Sequence, residues 1–268
     1  MTSPPGITAR RFGASLGARV EGIDLSQALD DGTFEHIREL FLEHLVLVFP
    51  NQRLGPEQQV AFAERWGRPT VHPIVPHIEG HPAIVEIRNT GKARTLNEHW
   101  HSDVTFNERP PLATMLYALE VPKVGGDTQF ANQYLAYEAL SDGMRRLLDG
   151  VQAVHSGAGL AAVTGADRQA APHAIHPVVR THPETGRKAL YVCRAFTQRF
   201  VDTSQAESRP LLDYLMTHAV RPDFTVRHAW SVGDVVLWDN RCVQHYAIHD
   251  HGDAPRLLHR TTIDGDRP

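Results

Sequence analysis

Trp100-His101-Ser102-Asp103-Val104-Thr105-Phe106 places a histidine and a carboxylate two residues apart in an aromatic, β-prone stretch. On an extended strand, side chains i and i+2 project from the same face of the strand. We therefore predict that the imidazole of His101 and the carboxylate of Asp103 reach one metal ion. The chain holds 17 histidines, so a chance His-x-Asp is common and this pair needs support from elsewhere.

The C-terminal part of the chain supplies that support. His245 follows the strand-like run Val236-Leu237-Trp238 and a turn. Two histidines and one carboxylate can hold non-haem Fe(II) and leave open positions on the metal. Farther along, Arg256 and Arg260 lie four residues apart in a second strand-like run, so they share one face. A buried guanidinium needs an anionic partner, and its planar fork suits a carboxylate or a sulfo group.

Length, charge and cysteine content restrict the class of protein. The 268 residues fit one large domain with a full core, and we predict a single domain over residues 1–268. A net charge of −4, without a Lys/Arg run, argues against nucleic acid or an anionic membrane as partner. Neither a secretory signal nor a membrane-length apolar run is visible. We therefore expect a soluble, cytoplasmic protein in which Cys193 and Cys242 are free thiols.

Short apolar or alternating runs dominate the chain, and helices interrupt them. We predict helices from about residue 33, over 56–66, 133–140 and 141–148, the last capped by Ser141, and after the capping box Ser204-Gln205-Ala206-Glu207. We predict strands at 7–11, 18–24, 46–49, 84–87, 113–119, 128–131, 151–155, 177–181, 189–192, 225–230, 234–238 and 257–263. Many short strands under helical cover indicate a mainly β fold, the double-stranded β-helix (jelly-roll) barrel.

Several motifs follow one another in a definite order. His-x-Asp is followed by Gly125-Gly126-Asp127-Thr128, then by Trp238-Asp239-Asn240-Arg241 with His245 five residues after the asparagine, then by Arg256-x-x-x-Arg260. Further motifs are Val71-His72-Pro73, Pro76-His77 and His176-Pro177-Val178-Val179-Arg180-Thr181-His182-Pro183. This order resembles the taurine dioxygenase family of Fe(II)/2-oxoglutarate oxygenases. The resemblance spans nearly the whole chain.

The resemblance implies a role for each residue that matches a family motif. His101, Asp103 and His245 would hold Fe(II). Arg256 would bind the distal carboxylate of the co-substrate 2-oxoglutarate, with the Thr128 hydroxyl as a second donor. The substrate would contact the polar side chains of His72, Asn97 and Arg260. Its apolar contacts would be Val104 and Phe196.

The implied reaction is hydroxylation, because halogenases of the family lack the carboxylate ligand that Asp103 supplies. Dioxygen would oxidise a small anionic substrate (an alkyl sulfonate, a sulfate ester or a taurine-like compound) at the carbon next to its heteroatom group. Succinate and CO2 would be the co-products. The resemblance also implies a homo-oligomer, either a dimer or a tetramer. It further implies a mobile lid at about residues 156–174, although this Gly- and Ala-rich composition equally suits a mobile surface loop.

Two departures from the taurine branch concern the substrate. Val75 stands where that branch has a tyrosine near the amine end of the substrate, and His99 stands where it has an asparagine. Losing a polar partner favours a less polar tail on the anion. An alkyl sulfonate or a sulfate ester fits this prediction, and an aryloxyalkanoate-type or natural-product hydroxylase of the same family is the alternative.

Two other classes of protein compete with this interpretation. A zinc hydrolase could use the same two histidines and aspartate with an activated water. It leaves Arg256 and Thr128 unexplained. A non-catalytic barrel that only binds an organic acid is the third hypothesis, and Fe(II) chemistry separates it from the first.

Overall fold

The computed structural model describes residues 6–71, 77–89, 99–165 and 167–268 of the chain. Within these ranges the protein is mainly β, as predicted, with six α-helices beside the strands. The strands are β1 Thr8–Arg11, β2 Ala18–Glu21, β3 Val46–Phe49, β4 His77–Ile78, β5 His81–Asn89, β6 Ala113–Glu120, β7 Thr128–Asn132, β8 Gln152–Ser156, β9 His173–Pro177, β10 Val179–Thr181, β11 Lys188–Leu190, β12 Thr197–Phe200, β13 Thr225–His228, β14 Val235–Asp239, β15 Val243–Ala247 and β16 Arg256–Ile263.

The helices are α1 Asp31–His44, α2 Pro56–Glu64, α3 Gln133–Glu138, α4 Asp142–Leu148, α5 Ala158–Thr164 and α6 Gln205–His218. Two of the six helices, α4 and α6, begin directly after the predicted capping residues Ser141 and Ser204. The Ser141 hydroxyl accepts from the backbone N–H of Met144 at 3.2 Å. Ser204 and Glu207 form the predicted capping box, with bonds of 2.7 and 3.2 Å. These bonds satisfy backbone N–H groups that the first helical turn leaves unpaired.

An eight-stranded sheet, in the order β1-β2-β3-β14-β6-β16-β5-β4, separates two hydrophobic cores. Successive residues of β14 point to opposite faces, so Leu237 lies in one core and Trp238 in the other. The first core is closed by α1 and α2. The second core includes Phe130 and Val243 of a three-stranded sheet, β13-β7-β15. Two smaller sheets, β12-β8-β9 and β10-β11, complete the strand pairing.

The stretch 100–106 is not the strand that its sequence predicts. His101 forms a single isolated bridge to His245, and the chain turns from Asp103 onward. The backbone N–H of Asp103 donates to the Asn240 side-chain oxygen at 3.2 Å instead of to a neighbouring strand. This tertiary hydrogen bond overrides the β propensity of the stretch, because propensity is only a weak preference.

Other differences from the predicted elements are local. The sequence-based prediction lacks strands β4, β9, β12 and β15 and helix α5. In β15, the buried positions include Gln244 and His245, so the apolar pattern that identifies a strand is missing. The segment 156–174 contains α5, and Gly157 just before it lies against Phe106, whose ring a Cβ would meet at 3.3 Å. The mobility of this segment stays a prediction.

The cysteines and the helices bear on the predictions of free thiols and of a soluble protein. Cys193 and Cys242 are buried and carry free thiols. Among the helices of the described ranges, none combines the length and the apolar character needed to cross a membrane.

Candidate metal centre

His101, Asp103 and His245 meet at one buried point between the large sheet and β15. The Nε2 atoms of His101 and His245 lie 3.7 and 3.8 Å from Oδ1 of Asp103. One donor atom of each residue lies within 4.8 Å of the other two. The structure therefore brings together the three residues that the sequence predicts, although no regular strand carries His101 and Asp103.

The hydrogen bonding of His101 leaves one ring nitrogen available to a metal. Its Nδ1 lies 2.6 Å from the backbone carbonyl oxygen of His99. A carbonyl only accepts, so Nδ1 carries the proton and Nε2 keeps its lone pair. Burial lowers the pKa of His101 and of His245. Both rings are therefore neutral at pH 7, which is the form that binds metals.

The carboxylate of Asp103 is held by two residues that the sequence-based prediction missed as functional groups. The Thr114 hydroxyl lies 2.6 Å from Oδ2 of Asp103, and the Asn240 amide nitrogen lies 2.9 Å from that hydroxyl. Burial raises the pKa of Asp103, but the Arg260 guanidinium and the hydrogen bond from Thr114 lower it. The pKa stays below its ordinary value, so the carboxyl is ionised. Asn240 belongs to the Trp-Asp-Asn-Arg motif, whereas Thr114 stands in an apolar strand without any sequence signal.

Arg260 contacts the same carboxylate from β16. Its Nη2 lies 3.0 Å from Oδ1 of Asp103. An oxygen has two lone pairs, so this contact leaves one of them for a metal. The Nε of Arg260 is buried and has no hydrogen-bond partner among the described residues. The predicted substrate residue therefore lies beside the candidate metal ligands and keeps a donor unused.

Trp230 lies between Arg256 and Thr128 and contacts both of them. The Arg256 guanidinium donates to the Gly126 carbonyl at 2.9 Å and to the Asn89 side-chain oxygen at 3.2 Å. Trp230 donates its indole N–H to the Thr128 hydroxyl at 3.1 Å, and its ring centroid lies 5.6 Å from Cζ of Arg256. Burial lowers the pKa of Arg256 to about 10, so it stays charged at pH 7. Within the described ranges no carboxylate pairs with this buried cation.

Trp230 is a further residue that the sequence-based prediction did not assign. Its only sequence signal is its position at the end of the predicted strand 225–230.

The predicted apolar wall residues lie close to the metal-binding candidates. Phe196 meets the ring of His101 edge-on, with centroids 6.0 Å apart. Val104 packs with Phe196 in a small cluster that includes Phe106 and Cys193. The remaining predicted substrate residues, His72 and Asn97, lie outside the described residues, as does Val75.

A second buried group contains residue types that often bind metals, but its side chains already pair with one another. His182, Asp239 and Cys242 hold donor atoms within 4.8 Å of one another. Asp239 already accepts from Arg241 at 2.8 and 2.7 Å and contacts His182 at 3.0 Å. Burial raises the pKa of the Cys242 thiol well above its ordinary value, so it stays protonated. This group is an ion pair, whereas two neutral imidazoles and the Asp103 carboxylate fit a divalent first-row metal.

Comparison with known proteins agrees with this geometry. Residues 7–262 match the family described as "Taurine catabolism dioxygenase TauD, TfdA family". An alkylsulfatase of Acinetobacter baylyi is 38% identical over 96% of this chain and 84% of its own length. An alpha-ketoglutarate-dependent sulfate ester dioxygenase of Pseudomonas putida is 37% identical over 94% of this chain and 88% of its own. The solved structure of AAD-2 in complex with Mn(II) and N-oxalylglycine superposes with a TM-score of 0.89 at 28% identity, covering 98% of this chain and 99% of that one.

Proposed function

We propose that this chain, which belongs to the taurine catabolism dioxygenase TauD, TfdA family, oxidises alkyl sulfate esters. The chain is an Fe(II)- and 2-oxoglutarate-dependent dioxygenase that hydroxylates a small anionic substrate. The observation that supports the proposal most is a pair of arginines on one face of β16. Arg256 is buried and forms no ion pair with a carboxylate of the described residues, and Arg260 lies 3.0 Å from the carboxylate of Asp103.

We assign Fe(II) to His101, Asp103 and His245. Bound Fe(II) and 2-oxoglutarate together supply the activation of dioxygen that puts one oxygen atom on a substrate carbon. The protein holds the three donors in a buried site, where the relative exposure of each residue is at most 8%. Burial keeps bulk water away from the reacting groups and strengthens the electrostatic interactions there.

We assign the distal carboxylate of 2-oxoglutarate to Arg256 and Thr128. A buried guanidinium without an anionic partner is costly, so the pocket favours an incoming carboxylate. Arg256 donates from its Nε to Gly126 and from its Nη1 to Asn89, and these bonds fix the orientation of the remaining guanidinium N–H groups. Because Trp230 donates to the Thr128 hydroxyl, that hydroxyl can direct its own proton to the carboxylate.

We assign the anionic head of the prime substrate to Arg260, together with His72 and Asn97. The buried Nε of Arg260 supplies a donor without a partner in the described part of the chain. Val104 and Phe196 offer apolar contacts for the remainder of the substrate. A sulfate ester with an alkyl tail combines both requirements. Two relatives of the chain are an alkylsulfatase and a sulfate ester dioxygenase.

An alkyl sulfate would be converted to an aldehyde and inorganic sulfate. Hydroxylation of the carbon that carries the sulfate group gives a geminal hydroxy sulfate. Its C–O bond to the sulfate breaks, the hydroxyl becomes an aldehyde carbonyl, and the proton leaves with inorganic sulfate. The second oxygen atom of dioxygen enters succinate, and 2-oxoglutarate loses CO2.

The finer structural expectations belong to the same proposal. We infer that the two facing sheets form the double-stranded β-helix, or jelly roll, of the family. We also propose a dimeric or tetrameric state, a lid at residues 156–174 and a cytoplasmic location.

One experiment tests the proposed assignment of metal and co-substrate. Fe(II) and 2-oxoglutarate added to the protein without oxygen should produce a visible metal-to-ligand charge-transfer band. A zinc hydrolase or a simple acid-binding barrel would give no such band. The band should then shift when an alkyl sulfate is added, and succinate should form only after oxygen is admitted. A colourless mixture, with protein and Fe(II) in excess, would contradict the assignment.

We expect Arg260→Ala to weaken binding of the prime substrate and to raise turnover that is uncoupled from its oxidation. Losing a hydrogen bond to a charged group costs roughly 1.5–3 kcal/mol, or about 10- to 150-fold in KM for the alkyl sulfate. The KM for 2-oxoglutarate should stay unchanged. Arg260→Lys keeps a charge beside Asp103 and serves as the control for metal binding. A rise in the KM for 2-oxoglutarate alone would contradict the role given to Arg260.

We expect an alkyl sulfate, an apolar-tailed sulfonate or an aryloxyalkanoate to have a higher kcat/KM than taurine. An ammonium tail would leave a charge unpaired near Val75, whereas an alkyl tail gains burial at roughly 25 cal/mol per Å². Val75→Tyr should shift the ratio of kcat/KM values toward taurine. Val124→Tyr, at a side chain that is 84% exposed, is the matched control. Taurine as the best substrate, with its rank unchanged in Val75→Tyr, would refute this view of the pocket.

A further inference from the structure

A chain of hydrogen bonds ends on one oxygen of Asp103. The Asn240 side-chain oxygen accepts from the Trp238 indole N–H at 3.0 Å and from the backbone N–H of Asp103 at 3.2 Å. Both partners are donors, so the orientation of the amide is determined and its NH2 group faces the Thr114 hydroxyl at 2.9 Å. Thr114 therefore accepts a hydrogen bond from Asn240 and donates its own O–H to Oδ2 of Asp103, 2.6 Å away.

The other oxygen of Asp103 faces the metal-binding candidates. Oδ1 lies 3.7 Å from Nε2 of His101 and 3.8 Å from Nε2 of His245. The two oxygens of one carboxylate thus have different partners. Thr114 and Asn240 are both completely buried, so water does not compete for these bonds.

We infer that Thr114 and Asn240 are positioning residues that restrict Asp103 to coordination through one oxygen, Oδ1. The inference rests on the proposed function, since it concerns the Fe(II) assigned to this site. If both oxygens coordinated, Asp103 would occupy one of the open positions that a two-histidine, one-carboxylate site leaves for other ligands. Keeping Oδ2 on Thr114 preserves those positions for 2-oxoglutarate and dioxygen.

The backbone bond adds to this restriction. Asn240 holds Asp103 at its N–H and, through Thr114, at its side chain. One buried amide therefore sets both the position of the Asp103 backbone and the rotation of its carboxylate. The turn that begins at Asp103 needs such a constraint, because no strand partner holds it there.

Co(II) bound to the full chain tests the inference without relying on activity, since its visible absorption reports coordination number. We expect Thr114→Val, which deletes the hydroxyl at nearly constant volume, to raise the Kd for Co(II) by about 10- to 100-fold. Its visible spectrum should change and respond less to 2-oxoglutarate, because a second carboxylate oxygen competes for the metal. Thr114→Ser restores the hydroxyl and should behave like the wild type.

The matched control is Thr261→Val, which removes another completely buried threonine hydroxyl. That hydroxyl accepts from Gln59 at 3.0 Å, and among the described residues it has no bond to His101, Asp103 or His245. Thr261→Val should lower the Tm but leave the Co(II) spectrum and Kd unchanged. If Thr114→Val does not fold, Thr114→Ala deletes the same hydroxyl without a bulky replacement.

A double-mutant cycle tests whether Asn240 acts through Thr114. The double variant Thr114→Val/Asn240→Ala should raise the Kd for Co(II) by less than the product of the fold-changes of the two single variants. The reason is that both changes break the same chain of hydrogen bonds. A wild-type Co(II) spectrum and Kd in Thr114→Val would overturn the inference while leaving the proposed function intact. Failure of the wild type to bind Co(II), or to respond to 2-oxoglutarate, would instead overturn both.

Discussion

Fe(II)-dependent turnover should disappear in His101→Ala, Asp103→Ala and His245→Ala, each tested alone. Every one of these changes deletes a donor atom from a group whose members lie within 4.8 Å of one another. Asp103→Glu should also lose on the order of 100-fold in turnover, because an added methylene displaces the carboxylate by about 1 Å. The measurements are succinate formation with saturating alkyl sulfate and Fe(II) binding to the purified variants.

A buried histidine outside the site separates loss of a ligand from loss of stability. The Nε2 of His218 lies 2.8 Å from the Ala136 carbonyl oxygen. Neither residue belongs to the candidate metal centre. His218→Ala should lower the Tm but keep Fe(II)-dependent turnover. Full activity in any of the three ligand variants would contradict the metal site.

Arg256→Ala should raise the KM for 2-oxoglutarate far more than the KM for the prime substrate. Removing one partner of a buried charged pair costs roughly 2–5 kcal/mol, or about 30- to 4,000-fold in affinity. The physical reason is that the distal carboxylate would then enter a buried pocket without a counter-charge. Initial rates measured against 2-oxoglutarate at saturating alkyl sulfate, and the converse, separate the two KM values.

Arg227 provides the control for loss of a positive charge near this pocket. It pairs with Asp127 at 2.5 Å and with Asp250 at 3.3 Å, and about half of its side chain is exposed. Arg227→Ala should therefore change the KM for 2-oxoglutarate little, since exposed ion pairs contribute up to about 1 kcal/mol. Equal effects of Arg227→Ala and Arg256→Ala would argue against a specific carboxylate site.

Local signals were sufficient for much of the secondary structure. The capping box at Ser204 and Glu207 predicts α6, and the apolar run before the Trp-Asp-Asn-Arg motif predicts β14. Local signals failed where distant residues compete for the backbone. The stretch 100–106 has strand-like composition, yet Asn240 takes the N–H of Asp103 and the chain turns.

The candidate site divides in the same way. Residue types suggest His101, Asp103 and His245 as metal-binding candidates, and the family resemblance adds Arg256 and Thr128. The structure brings the first three together and places Trp230 in contact with both of the others. Trp230, which joins Thr128 to Arg256, could not be assigned from sequence, because an indole at the end of a strand is ordinarily core. The sequence predicts that Arg260 binds the substrate, and only the tertiary structure reveals its contact with Asp103.

The sequence by itself determined which donor side chains are available and in what order they follow, because both are visible without a fold. The tertiary structure alone decided how the donors are oriented. Thr114 lies 126 residues from Asn240, and Asp103 lies 137 residues from it. Bonds over such separations leave no periodic pattern in a sequence, since they arise only where β6, β14 and the turn after His101 pack together. The same packing sets which oxygen of Asp103 faces His101 and His245.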